Sequence, residues 1–225
     1  MLSLELKDVV FRYGVARAIL DRLNFSVAAG ERVAVLGESG MGKSSLLRVV
    51  AGLERISEGQ IHLNGKVVSS DSVHSAPERR NVGMVFQDWA VFPHLNVFQN
   101  VAFGLDCRGR SQSGRVRVEQ LLEEFELVGL DSRSPSTLSG GQLQRVACAR
   151  ALAPRPHVLL LDEAFSSLDV ALRQRIRAQV IHALTLEKIT SVLVTHDPQE
   201  ASEFAHRIFY LRNGVLLESG SLNAD

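Results

Sequence analysis

The string GESGMGKS, Gly37 to Ser44, lies between a compact apolar run, Arg32 to Leu36, and a stretch of helical character, Lys43 to Ala51. Nothing else in the sequence constrains the fold as strongly. The apolar run has the pattern of a strand buried on both faces. A strand that passes through a glycine-rich loop directly into a helix opens an α/β unit. The string fits G-x-x-x-x-G-K-[ST], whose glycines let the backbone wrap closely round phosphates so that its N–H groups converge on them. The positive end of the following helix adds to this attraction. In such a loop Lys43 reaches the β and γ phosphates of a nucleoside triphosphate, and the Ser44 hydroxyl is a ligand for Mg²⁺. The candidate phosphate-binding residues are Gly37, Glu38, Ser39, Gly40, Met41, Gly42, Lys43, Ser44 and Ser45. The rival dinucleotide pattern G-x-G-x-x-G fails, because its third glycine would fall on Ser45.

The rest of the chain is consistent with this opening. Leu2 to Val10 alternates and reads as a strand with one solvated face, and Asn24 to Ala28 as a second strand closed by the turn Ala29-Gly30-Glu31. Gly52 is placed to end the helix after the loop. Asn64-Gly65 between two β-like runs predicts a hairpin, Ser69 to Glu78 a surface loop, and Val82 to Phe86 another strand. From Asp88 to Thr137, 50 residues, the texture turns helical, with helices expected at Val97 to Leu105 and Val116 to Val128. Alternation then resumes. Helices are expected over Gly140 to Ala153, Ala171 to Thr185 and Pro198 to Ala205, and strands over His157 to Asp162, Thr190 to Thr195, Arg207 to Leu211 and Val215 to Glu218. Strands alternating with helices predict a largely parallel sheet covered on both faces. The domain expectation is a nucleotide-binding core of residues 1–87 and 138–225 interrupted by a helical subdomain at 88–137.

Composition excludes several function classes. Lys plus Arg number 25 and Asp plus Glu 25, a net charge of zero, whereas a chain that binds nucleic acid by bulk charge carries a basic excess. Cys107 and Cys148 match no metal spacing, and a reducing cytosolic compartment is the simplest reading. MLSLELKDVV lacks the unbroken apolar stretch of a signal peptide. The longest apolar runs, such as Val158 to Leu161, fall far short of the roughly 20 residues that span a bilayer. A membrane role would therefore come through a partner.

Two more strings carry chemistry. In HVLLLDEA, Asp162 ends an apolar strand and Glu163 follows. A carboxylate at the carboxyl end of a parallel strand faces the ligand crevice. Asp162 is thus a candidate Mg²⁺ ligand, and Glu163 a candidate base for an attacking water. In LSGGQ, Leu138 to Gln142, Ser139 as N-cap and Gln142 three residues on form a capping box. Ser139 with the N–H groups of Gly140 and Gly141 also offers a second anion site at a helix start. One nucleotide rarely needs two such sites in one chain, so the pair suggests that one copy supplies the loop and another copy closes over it.

These strings together resemble the ATP-binding subunit of an ABC transporter, over essentially the whole chain from Leu2 to about Gly220. LSGGQ followed by QRVACARAL and then LLLDEAFSSLD is very specific to that family. The resemblance implies a P-loop core with a mostly parallel sheet, an N-terminal antiparallel β subdomain and an inserted α-helical subdomain. It implies ATP and Mg²⁺, and ATP hydrolysis. Tyr13 falls where the family stacks a ring on adenine. Gln87 matches the glutamine that touches Mg²⁺ and the attacking water. Asp169 of SSLD matches the loop that crosses to the other subunit, and His196 the histidine that contacts the γ-phosphate. Leu138, Ser139, Gly140, Gly141 and Gln142 would act on the ATP of the partner subunit. Ala164 stands where the family most often has Pro, which removes a fixed φ but no catalytic group.

The segment Pro77 to Leu105 is similar to importers for ferric iron, sulfate, thiamine and polyamines, and among these solutes it leans to ferric iron. Trp89, Val91, Phe92, Pro93 and Leu95 fall where the family forms a groove for a permease helix. Alternatively, they form core of the helical subdomain. The expected partners are a second copy on ATP binding, transmembrane permease subunits and, indirectly, a solute-binding protein, with no nucleic acid. The expected place is the cytoplasm, peripheral on the cell membrane through the permease. The rivals are a non-transport ABC ATPase and an ATP-switched membrane regulator. Importer subunits of this kind often continue into a regulatory β domain, and this chain stops at Asp225.

Overall fold

A computed structural model describes residues 1–14, 17–105, 109, 111–166 and 169–219; Cys107, Ser167, Leu168 and Gly220 lie outside the described residues. The strands are β1 (Leu2–Phe11), β2 (Leu20–Ala28), β3 (Arg32–Leu36), β4 (Glu58–Leu63), β5 (Lys66–Ser69), β6 (Val82–Val85), β7 (Val158–Asp162), β8 (Thr190–Thr195), β9 (Arg207–Arg212) and β10 (Val215–Glu218). The helices are α1 (Lys43–Ala51), α2 (Val97–Val101), α3 (Gln112–Glu124), α4 (Gly140–Leu152), α5 (Val170–Glu187) and α6 (Pro198–Phe204). The chain divides into two compact units. The first is Met1–Met84, His157–Glu163 and Lys188–Asp225, and the second is Val85–Pro156 and Ala164–Glu187. The expected insertion at 88–137 falls inside the second unit, which also takes α4 and α5.

The first unit holds both sheets. One is antiparallel, in the order β2-β1-β4-β5, and the other runs β10-β9-β3-β8-β7-β6. β3 is parallel to β8 and β9, and β7 to β8, while β10 returns antiparallel along β9. This is the mixed α/β architecture with a separate antiparallel sheet that the resemblance implied.

β3 explains why its sequence is apolar at every inward position. Val33 and Val35 join a core with Leu46, Leu47, Val49 and Val50 of α1, Val158 and Leu160 of β7, and Leu4, Leu6 and Phe25 of the antiparallel sheet. Ala34 and Leu36 point the other way and pack with Ala201 of α6. A central parallel strand has no solvated face, so the run cannot alternate. Asn64 (φ 48°) and Gly65 (φ 75°) make the tight hairpin turn between β4 and β5.

α1 is fixed at its far end by a buried arginine. The Arg80 guanidinium donates to the Val49 and Val50 carbonyls at 3.0 Å each and to Ser69 Oγ at 2.8 Å. A cation at a helix C-terminus also complements its dipole. Burial lowers the Arg80 pKa to about 10, which leaves it charged at neutral pH.

The helix expected over Val97 to Leu105 ends at Val101 and continues as a tighter turn over Ala102–Gly104, and several other ends shift by one or two residues. Three further differences have a local cause. β1 does not keep one solvated face, because it bulges near Asp8 (φ 48°), and Val9, Val10 and Phe11 are buried in succession. β2 begins at Leu20 rather than Asn24, since its first half carries the polar pair Asp21-Arg22. α3 begins at Gln112, where the Ser111 hydroxyl accepts from Gly114 N–H at 3.1 Å, and it stops before Glu126 (φ 53°), so Val128 is outside it.

In the second unit ion pairs tie the helices. Arg117 of α3 pairs with Glu187 of α5 at 2.6 Å and donates to the Leu152 carbonyl at 2.8 Å. Glu126 bridges Arg145 of α4 (3.0 Å) and Arg175 of α5 (2.6 Å). Cys148 is buried in α4, and burial pushes its thiol up to about 12, which keeps it unreactive. Among the described residues no helix is long and apolar enough to cross a membrane.

Candidate functional site

The loop Gly37–Gly42 leaves the carboxyl end of β3 and enters α1 at Lys43. Gly42 is the N-cap, with φ 94°. A side chain there would be strained, and its Cβ would lie 2.5 Å from Ile19 Cγ2, so glycine is required twice over. The Lys43 side chain is buried along the loop. Its Nζ donates to the Gly37 carbonyl at 2.8 Å and the Glu38 carbonyl at 3.0 Å. The ammonium is therefore held inside the curve of the loop, where an anion would be met by one fixed cation. Glu38, Ser39, Gly40 and Met41 form the exposed rim.

β7 brings the two acids to the same place. The Ser44 hydroxyl donates to Asp162 Oδ1 at 2.9 Å. Burial holds the Asp162 carboxyl above the usual carboxylate range, the neighbouring Glu163 pushes the same way, and the Ser44 hydrogen bond pulls against them. Glu163 adopts φ 44°, a left-handed conformation that costs about 1–3 kcal/mol for a residue other than glycine. Its N–H is tied to the Val194 carbonyl at 3.0 Å. The turn aims the carboxylate back over the loop. Oε1 stands 3.6 Å from Lys43 Nζ and Oε2 3.5 Å from His196 Nδ1. His196 follows β8 and is more than half exposed, and Asp197 beside it caps α6 through Gln199 N–H at 2.9 Å. Lys43, Ser44, Asp162, Glu163 and His196 thus form one cluster at the carboxyl edge of the parallel strands. Tyr13 belongs to the same unit. It is half-exposed, and its ring meets that of Phe11 at nearly a right angle with 4.8 Å between centroids.

Among the described residues no group of three or more His, Cys, Asp or Glu is arranged to hold a metal ion. Ser44 and Asp162 do offer a hydroxyl and a carboxylate that already touch. Mg²⁺ takes hard oxygen donors, commonly one or two from protein and the rest from phosphates and water. The pair fits Mg²⁺ delivered with a nucleotide, and the cation would offset the burial that raises Asp162.

The remaining predicted residues lie in the second unit. Gln87 is exposed just beyond β6. At the start of α4 the Ser139 hydroxyl accepts from Gln142 N–H at 3.3 Å, and Gln142 Oε1 accepts from Ser139 N–H at 2.9 Å. Ser139 is exposed, Leu138 and Gly140 half-buried. Asp169 Oδ1 accepts from Leu172 N–H at 3.0 Å and so starts α5. Between Gln87 and α2 the chain forms a loop whose shape is set by two polar side chains. Asn100, fully buried, accepts from Phe92 N–H at 2.9 Å and donates to the Leu95 carbonyl at 2.9 Å. Arg150 donates to the Ala90 and Trp89 carbonyls at 2.7 and 3.1 Å. Phe92 stacks on Phe103 at 4.3 Å, Pro93 is exposed, and Trp89 and Leu95 are half-buried.

Sequence reasoning missed Asn100, Arg150 and Gln144. Gln144 is fully buried and donates from Nε2 to the carbonyl of Ala164, the residue after Glu163. Its signal was present: a polar residue on the otherwise small and apolar helix face Ala147-Cys148-Ala151 needs a partner.

The sequence profile of the family described as ABC transporter matches residues 20–166. A sulfate/thiosulfate import ATP-binding protein of Synechocystis sp. is 46% identical over 221 residues, covering 98% of this chain and 61% of that protein. An Fe(3+) ions import ATP-binding protein of Streptomyces avermitilis is 46% identical over 219 residues, covering 97% of this chain and 62% of its own length. The chain thus spans about three fifths of the length of these relatives. Among solved structures, an ATP-binding cassette in a dimeric post-hydrolysis state bound to ADP and Pi is similar at a TM-score of 0.84 and 30% identity, with 96% of this chain and 97% of that one covered.

Proposed function

The chain belongs to the ABC transporter family, and on that premise we propose that it is the ATP-binding and hydrolysing subunit of an importer. The observation that carries this is the cluster of Lys43, Ser44, Asp162, Glu163 and His196 round the phosphate loop. The loop N–H groups and Lys43 bind the phosphates. Ser44 and Asp162 would hold Mg²⁺, which would supply charge neutralisation of the phosphates. Tyr13, half-exposed in the same unit, is assigned to adenine. Glu163 takes a proton from water as the water oxygen attacks the γ-phosphorus and the bond to ADP breaks, giving ADP and phosphate. His196, beside Glu163, holds the departing phosphate. Gln87 is assigned to Mg²⁺ and the attacking water on its motif alone.

Two copies face each other, so that each ATP touches Gly37 to Ser45 of one and Leu138 to Gln142 of the other, with Asp169 in the crossing loop. The dimeric relative bound to ADP and Pi supports this arrangement. Residues 88–137 are proposed as the inserted helical subdomain. Its loop with Trp89, Phe92, Pro93 and Leu95 receives the permease on the cytoplasmic face of the membrane, and a solute-binding protein acts through that permease. The relatives' names support import over the non-transport readings. Ferric iron is the solute favoured by the Pro77 to Leu105 segment. A relative named for sulfate/thiosulfate has the same 46% identity as the one named for Fe(3+), which supports sulfate/thiosulfate as the second reading. Uptake of each labelled ion by the intact complex decides between them.

The shared site is tested by mixing chains. Lys43→Ala and Ser139→Ala are each expected to be nearly inactive alone. In a mixed pair one of the two composite sites keeps both its own Lys43 and its partner's Ser139. Mixtures should therefore regain ATPase activity above the sum of the two separate variants. Activity that is only that sum contradicts site sharing.

A further inference from the structure

We infer that Trp89 is a positioning residue for the first turn of α4, setting where Ser139, Gly140 and Gly141 present their donors. The inference deepens the functional reading above and rests on it. The far edge of the indole lies against Gly140: a Cβ built there would stand 3.2 Å from Trp89 Cη2 and 3.8 Å from Cζ2. The contact is made by the part of the ring that only tryptophan reaches. The indole N–H is buried and has no hydrogen-bond partner among the described residues. The ring is therefore placed by packing and reach rather than by its polar atom. The backbone beneath it is held in an uncommon shape, with Trp89 at φ 60° and Ala90 at φ 44°. Three hydrogen bonds keep it there: Trp89 N–H donates to the Phe86 carbonyl at 3.0 Å, and Arg150 donates to the Trp89 and Ala90 carbonyls. The Arg150 guanidinium also lies over the Phe92 ring, 5.0 Å from its centroid.

α4 is thus fastened to the loop after Gln87 at two points, through Gly140 in its first turn and Arg150 in its last. A displacement of the loop that carries Phe92 moves the turn that carries Ser139. Phosphate binding by the lone chain uses Lys43 and its loop, in the other unit, so the two functions separate experimentally.

The test uses the full chain carrying Glu163→Gln, with Trp89→Ala and Trp89→Phe added in turn. Mg-ATP affinity is measured at dilutions where chains are single, and ATP-driven pairing by sedimentation. Both variants should bind ATP within about twofold of the parent and pair at least about tenfold more weakly, the scale of a lost aromatic contact. Phenylalanine keeps apolar bulk and folding but lacks the distal ring atoms, so it carries the test if the alanine variant is unstable. Unchanged pairing in Trp89→Phe overturns the inference, because bulk alone would then suffice. A parallel loss of lone-chain ATP affinity also overturns it, by marking a general loss of folding. A parent that binds no ATP removes the functional reading itself, and the inference with it.

Discussion

Glu163→Gln should bind ATP as the parent does, turn it over at least about 100-fold more slowly, and accumulate as an ATP-bound pair. Glutamine keeps the volume and one carbonyl oxygen of glutamate, so the turn tied to Val194 and the packing near His196 are retained. What is lost is a group able to accept a proton from water. The ion pair with Lys43 at 3.6 Å is lost too, which frees the ammonium for phosphate rather than weakening the grip on it. Single-turnover hydrolysis and sedimentation of the variant with Mg-ATP give both readouts. Hydrolysis near the parent rate would remove Glu163 from the role of base.

Lys43→Ala should have the opposite signature, with binding lost rather than chemistry. Among the described residues the ammonium is the one side-chain cation fixed within the curve of the phosphate loop, by the Gly37 and Glu38 carbonyls. A charge-assisted contact of this kind is worth about 3 kcal/mol, which corresponds to roughly 100-fold in affinity. Of the two carbonyls it leaves, that of Glu38 is on the exposed rim and that of Gly37 lies next to it, within reach of water, so the fold should tolerate the change. Titration calorimetry with Mg-ATP measures it, and unchanged affinity contradicts a phosphate cradle at Gly37 to Ser44.

The parts of this molecule legible in the sequence are those whose signal is local. β3, the glycine loop and α1 follow one another within 20 residues, and each announces itself by burial pattern, glycine spacing and helical period. The capping box at Ser139 and Gln142 and the Asn64-Gly65 hairpin are local in the same sense, and the residues adopt those structures. The carboxyl-edge rule gathered Asp162 and His196 with the loop because parallel strands share a direction. What the sequence did not disclose depends mostly on three-dimensional geometry that no local pattern announces. The bulge at Asp8 destroyed the alternation on which the reading of β1 relied. The polar first turn of α3 hid its start, since the apolar period marks the middle of a helix and only the Ser111 cap marks the end. Arg80, Asn100 and Arg150 look like ordinary surface residues in the string. Their importance comes from carbonyls that the fold brings to them across 60 residues in the case of Arg150. The left-handed turn at Glu163 is of this kind as well, because its backbone is fixed by Val194 of β8.

The central claim is that a complete ATPase site needs the phosphate loop of one copy and the LSGGQ turn of another. The most direct measurement is the ATP hydrolysis rate per chain as a function of chain concentration, at saturating Mg-ATP. A shared site predicts a specific activity that rises with concentration from near zero where chains are single and levels off once they pair. A specific activity that stays constant down to dilutions at which sedimentation shows only single chains would contradict it.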